Sequence, residues 1–276
     1  MSSARETAIR LLLLLMIASV VLPAAFFVYA AWVSYRDIHA VADERILRSL
    51  DVMQEQALKV FQTVDRTFAE VNEIVRGMSD EDIRVDEPRL RERLAAIVAT
   101  MPQLHAILLV GRDGRPLVAS SLGALPSGIN FSDRDYFRAQ ADDDPGTYVS
   151  DARAARLPEI GSEFFDLSHR LESPDATFNG VISVAIRPKY FEDFYALIGR
   201  TPGSFYALIR FDGAYLARYP SLSDRTRRLS ATSTFRRSIA GGAEYGIYTA
   251  NSDIDGISRL FGFRKLPVIR STRSRA

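Results

Sequence analysis

From Leu11 to Val33 the chain runs for 23 residues without a charge, and only Ser19 and Pro23 fall outside the apolar set. At about 1.5 Å per residue, such a helix would reach roughly 34 Å, enough to cross a hydrocarbon core of about 30 Å. A cleavable signal peptide carries an apolar stretch of only about 7–15 residues, so an uncleaved anchor is expected. Trp32 and Tyr35 stand at its far end, where amphipathic aromatics favour the headgroup level. Apolar residues then recur from Ile46, Leu50, Met53 and Ala57 through Val75 to Met78 at spacings of three and four. This period predicts one long amphipathic helix, ended by Gly77 and the Ser79-Asp80-Glu81-Asp82 cluster. Its stripe serves a domain core or, in part, a second copy of the same helix, so a homodimer through the stalk is expected.

Beyond Asp86, Glu87 and Pro88 the helical period returns through Leu90, Leu94, Ile97 and Met101 and stops at Pro102. The period then changes. Residues 106–110 and 116–119 read as strands around an Arg112-Asp113-Gly114 turn. Ser132 is placed to cap a short helix through Asp135, Tyr136 and Phe137. Strands follow at 148–149, 163–171 and 181–186, and an amphipathic helix at 188–198. The Phe211-Asp212-Gly213 turn, with strands on either side, repeats the first hairpin at an offset of 99 residues from Asp113 to Asp212. Gly146-Thr147-Tyr148-Val149 has a counterpart in Gly246-Ile247-Tyr248-Thr249. Two tandem modules of antiparallel sheet with helices follow, an α+β architecture.

Composition narrows the function. Thirty-five Lys and Arg against 34 Asp and Glu leave a net charge of +1, which gives no reason to expect a nucleic-acid partner. The absence of cysteine removes thiol nucleophiles and Cys-ligated metal sites. Histidine occurs only at His39, His105 and His169, without metal-ligand spacing. Ser168 beside His169 is no catalytic pair, because adjacent strand residues point to opposite faces. Asn251-Ser252-Asp253-Ile254-Asp255-Gly256 imitates the start of a calcium loop, but its twelfth position is Gly262 and not a bidentate acid, so a turn is expected. No hydrolase, metalloprotease or nucleotide-loop motif is present, and neither a catalytic residue nor a metal or cofactor is expected.

The string Phe131-Ser132-Asp133-Arg134-Asp135-Tyr136-Phe137-Arg138 resembles the helix of double Cache sensors, the tandem PAS-like extracytoplasmic domains of bacterial receptors. Leu167-Ser168-His169-Arg170, Phe178-Asn179-Gly180-Val181 and Tyr190-Phe191-Glu192-Asp193-Phe194-Tyr195 are similar to that family as well. The resemblance implies a cytoplasmic tail at 1–10, a transmembrane helix at 11–35 and a stalk helix at 36–85. A membrane-distal Cache module at 86–200, a membrane-proximal module at 201–266 and a basic tail at 267–276 complete it. It also implies the ligand-sensing input of a histidine kinase or diguanylate cyclase receptor, single-pass in the bacterial inner membrane with its modules in the periplasm. The second module is expected to be incomplete and the output domain missing, from a truncated or frame-shifted gene. A stand-alone anchored binding or scaffolding module is the alternative.

Within the Asp133–Phe137 string, an arginine fork beside aromatic rings suits a small carboxylate. Arg134 and Tyr136 are the expected anchors, with Tyr148, Asp151 and Arg170 facing the same ligand from strands opposite the helix. The amino-acid-binding branch of the family carries Arg-x-Trp-Tyr on this helix; Tyr136 and Phe137 stand at the matching positions here, a departure that argues against an amino-acid ligand. The competing reading pairs Arg134 with a neighbouring acid and gives the rings to the core.

Overall fold

Helix α1 spans Ser2–Ile74, so the apolar run and the amphipathic run are one continuous helix. The computed structural model describes residues 2–121, 128–143, 145–154, 163–171, 177–199, 202–222, 228–252 and 254–267, with side chains from residue 15 onward except those of Arg153 and Ala154. Two compact units are present, Met1–Asp51 and Val52–Ala276. In the first, the apolar side chains of α1 lie open, with Val20 67% and Phe27 72% exposed. This helix is long and apolar enough to cross a membrane.

In the second unit the stripe turns inward. Val60, Val64, Phe68, Val71 and Val75 are buried in one core cluster with residues of the helices and sheet that follow. Gly77 ends the run in the left-handed region, at φ +75°. Ser79 then opens a helix that the sequence pattern does not announce, α2 (Asp80–Val85). Its Oγ accepts from Asp82 N at 3.2 Å while Asp82 Oδ2 accepts from Ser79 N at 2.8 Å, a reciprocal capping box. The acidic cluster is therefore a helix start as well as a stop. Helix α3 (Glu87–Ala99) has Pro88 in its first turn and buries Leu90, Leu94 and Ile97.

The sheet is antiparallel. Strands β1 (Leu104–Val110), β2 (Pro116–Ala119), β3 (Tyr148–Val149), β4 (Arg153–Ala154), β5 (Glu163–Arg170) and β6 (Val181–Ile186) run in the order β2-β1-β6-β5-β3, with β4 also pairing β5. Register sorts the side chains into two faces. Ile107 pairs with Val184 and Val184 with Leu167, while Leu109 pairs with Ile182 and Ile182 with His169. These rows face the core, where the His169 ring lies tilted 5.4 Å from that of Phe68 of α1. The opposite rows are Ala106–Ala185–Asp166, Leu108–Ser183–Ser168 and Val110–Val181–Arg170.

Helix α4 (Asp135–Asp142) serves this second face. It starts later than a Ser132 cap would place it, with Arg134 as the extended N-cap residue. The reason is a turn closed by Arg134 N donating to Phe131 O at 3.0 Å, which holds Ser132 outside the helix. Helix α5 (Pro188–Ile198) follows the sheet and buries Phe191 and Tyr195. Phe191 lies 6.2 Å from Phe165 of β5, and Tyr195 lies 6.4 Å from Tyr206 of the next strand. Burial pushes the Tyr195 phenol well above its ordinary pKa.

After α5 come β7 (Tyr206–Ile209), β8 (Tyr215–Tyr219), α6 (Thr234–Ala240), β9 (Tyr245–Asn251) and β10 (Ser258–Arg264). Among the described residues they form two separate two-stranded sheets, β7 with β8 and β9 with β10. Leu208, Leu216 and Ala217 share the core cluster of the six-stranded sheet. In the β9–β10 connection, the Asp255 carboxylate is taken by Arg259 at 2.6 and 2.7 Å, and Gly256 has φ +70°. That arrangement is a turn in which Asp255 is already engaged; Asp253 lies outside the described residues.

Candidate functional site

Strand β5 alternates Phe165, Leu167 and His169 with Asp166, Ser168 and Arg170, so one face of an otherwise apolar sheet acquires a polar row. Asp166 is 5% exposed, Ser183 2% and Ser168 not at all. The Ser183 hydroxyl donates to Asp166 Oδ1 at 2.9 Å, and Ser150 Oγ accepts from Asp166 N at 2.8 Å. Groups this deep are tolerated because they are hydrogen-bonded to one another.

Helix α4 is fastened to this face at both ends. Toward its C-terminus, Gln140 Nε2 donates to Gly146 O at 2.8 Å and to Ser168 O at 2.9 Å. Arg170 donates through Nε to Gln140 O at 3.1 Å and through Nη2 to Ala141 O at 3.3 Å, a cation on the last carbonyls of the helix. The same guanidinium stacks 5.2 Å over the Phe178 ring. At the N-terminus, Asp135 Oδ2 accepts from the Tyr148 hydroxyl and from Asp151 N, each at 3.4 Å. Burial, and then the Asp135 charge, raise the Tyr148 pKa. Asp135 and Asp151 also meet Arg210, which follows β7.

The five residues expected from sequence divide between these ends. Tyr148 and Asp151 gather around Asp135, and Arg170 sits at the other end of α4. Tyr136 is 3% exposed, packed in a cluster with Val110, Phe131, Phe137 and Val181. Its backbone oxygen accepts from Ser168 Oγ at 3.4 Å. Arg134 is the half-buried N-cap of α4. Sequence reasoning passed over Asp166, Ser183, Gln140 and Arg210. The first was legible, since Asp166, Ser168 and Arg170 break an apolar strand at period two. Arg210 left no signal beyond Asp212 two residues on, because its other partners, Asp135, Val149 and Asp151, come from a distant stretch of chain. Among the described residues no cluster of three or more His, Asp or Glu side chains is arranged to hold a metal ion.

A family model described as a dCache_1-like histidine kinase sensor domain matches residues 188–270. The extracellular domain assigned to the histidine kinase rpHK1S-Z16 superposes with a TM-score of 0.71 at 27% identity, over 82% of this chain and 89% of that one. Residues 188–270 are thus similar to a dCache_1-like sensor domain, and the fold is similar to that of a histidine kinase extracellular domain. Two chemoreceptor domains share the Cache fold at lower identity. The ligand-binding domain of Campylobacter jejuni Tlp3, solved with 4-methylisoleucine, gives a TM-score of 0.53 at 15% identity, over 76% of this chain and 81% of that one. The ligand-binding domain of Pseudomonas fluorescens CtaA, solved with L-serine, gives 0.54 at 12%, over 79% and 87%. No curated protein matches this chain.

Proposed function

We propose that this chain is the membrane-anchored, extracytoplasmic ligand-sensing part of a bacterial signal-transduction receptor. Its ligand is a small carboxylate-type molecule bound on the polar face of the six-stranded sheet. The observation that carries the reading is that face itself: buried Asp166, Ser168 and Ser183 lie on the side of the sheet to which α4 is fastened. The row's hydrogen bonds fix α4 over the sheet, and a site for a small polar molecule needs such convergent polar groups on a largely preformed surface. Arg134 supplies the fork for the carboxylate and Tyr148 a phenol, while Tyr136 belongs to the apolar wall. Asp151 and Arg170 hold the two ends of α4.

The Leu11–Val33 stretch of α1 is the anchor, crossing the inner membrane once with the Cache modules in the periplasm. Because Val60 to Val75 are spent on the domain's own core, a stalk homodimer uses residues N-terminal to Ala57, Ile46 and Leu50 among them. The test is a thermal-shift panel on the full chain in detergent micelles, with acetate, succinate, L-serine and L-valine as probes. A carboxylate that binds at a hundred times its Kd adds about 2.7 kcal/mol and raises Tm accordingly. The reading fails if none of the four carboxylates raises Tm.

A further inference from the structure

Arg210 spreads one guanidinium over three carboxylates. Nε and Nη2 donate to the two oxygens of Asp212 at 2.9 and 2.6 Å, and Nη2 also lies 2.6 Å from Asp151 Oδ1. Nη1 donates to Val149 O at 3.1 Å and stands 3.5 Å from Asp135 Oδ2. Arg228 joins from the other side, with Nη2 donating to Asp151 Oδ2 at 2.9 Å and Nη1 to Asp212. The Arg210 side chain is 18% exposed, so solvent screens these contacts less than those of an ordinary surface pair. Burial alone would lower its pKa, but the bonds to Asp212 and the charges of Asp151 and Asp212 outweigh it and hold the cation firmly charged.

The acids it grips come from two places. Asp212 belongs to the turn between β7 and β8, the same hairpin as Arg210. Asp135 opens α4 and takes the Tyr148 hydroxyl, while Asp151 follows β3. We propose that Arg210 is a positioning residue that couples α4 on the ligand face to the β7–β8 hairpin. The pair with Asp212 fixes the fork on the hairpin, and the remaining donors hold Val149, Asp151 and Asp135 to it. The 3.5 Å approach to Asp135 is the longest of the set, so a small displacement of α4 alters it first. A carboxylate ligand arriving beside Tyr148 competes with Asp135 for the same guanidinium, which turns occupancy into a changed hold on the hairpin. That use rests on the ligand face proposed above, whereas the coupling itself does not.

Coupling of this kind is reciprocal, and reciprocity is what a merely local role cannot imitate. Hydrogen exchange followed by mass spectrometry on the full chain in micelles reads it. In Arg210→Ala, peptides from 134–142 exchange at least about fivefold faster, and in Asp135→Asn peptides from 206–219 loosen in turn. Peptides from 104–110 and 181–186 keep their wild-type rates in both. Raising the salt speeds exchange at 134–142 in the wild type and leaves Arg210→Ala unmoved. The proposal is overturned if either variant loosens only its own element, if the rise spreads equally over 104–110 and 181–186, or if salt acts alike on wild type and variant. No ligand enters the experiment. Its failure leaves the ligand face standing, and a panel in which no carboxylate stabilises the chain leaves the coupling standing.

Discussion

Gly180 has φ +118°, and a Cβ built there would lie 2.2 Å from Val110 O, where β6 enters beside β1. Only glycine meets both demands, since the left-handed region is strained for L side chains and backbone cannot step aside as a side chain can. Gly180→Ala is expected to destabilise the second unit by about 1–3 kcal/mol or more, read as a lower urea midpoint with an unchanged slope. Asp212 makes a prediction of a different kind. The Arg210 bonds, opposed by burial and helped by Arg228, hold its carboxyl well below the ordinary value of 3.8. A depressed pKa stabilises the fold at neutral pH, and the contribution is lost as pH falls below the unfolded value toward the folded one. Asp212→Asn should therefore be less stable than wild type at pH 7, with the gap narrowing from about pH 5 downward, by denaturant titration at each pH. A gap that widens on acidification would remove Asp212 from the network. At this scale the sequence was only partly readable. The period-two row of Asp166, Ser168 and Arg170 can be picked out by eye, but the choice of Asp135, Asp151 and Asp212 by one arginine leaves no pattern in the chain.

Elements were read better than residues, because each is announced by its own period. β1, β5, β6 and α5 stand where apolar alternation and helical spacing put them. α2 was missed because Ser79 both follows one helix and caps the next, and β4 because Arg153 and Ala154 are not the aromatic and β-branched strand formers that Tyr148 and Val149 are. The strands differ in how they are supported. β6 is paired on both edges, by β1 and β5, and every one of its residues is buried. β7–β8 and β9–β10 are hairpins of two strands each, and β10 buries only Phe263. A two-stranded sheet is marginal without a packed face; β7–β8 has one in Leu208, Leu216 and Ala217, so local opening should concentrate in β9–β10. Amides in 245–264 are expected to exchange roughly tenfold faster than those in 104–110 and 181–186. Equal protection in the two sets would mean that β9–β10 is supported by pairing not present among the described residues.

Across the whole molecule the long apolar N-terminal helix and the mix of helices with antiparallel sheet after it were the most legible features. An uncharged run of 23 residues, a heptad-like stripe and a repeated strand–Asp-Gly–strand unit are patterns of length, which survive without knowledge of any contact. The stripe's destination was not legible, since a core and a second copy ask for the same spacing; from Ala57 to Val75 the core takes it. The central claim is that a small carboxylate binds on the polar face of the six-stranded sheet with Arg134 as its fork. Calorimetric titration of the full chain in micelles, using the carboxylate that stabilises it most in the thermal-shift panel, tests this directly. Losing a charge-assisted hydrogen bond costs about 1.5–3 kcal/mol, so Arg134→Ala should weaken binding roughly tenfold to a hundredfold. Arg237→Ala, on α6, should leave the affinity unchanged. Wild-type affinity in Arg134→Ala would contradict the account.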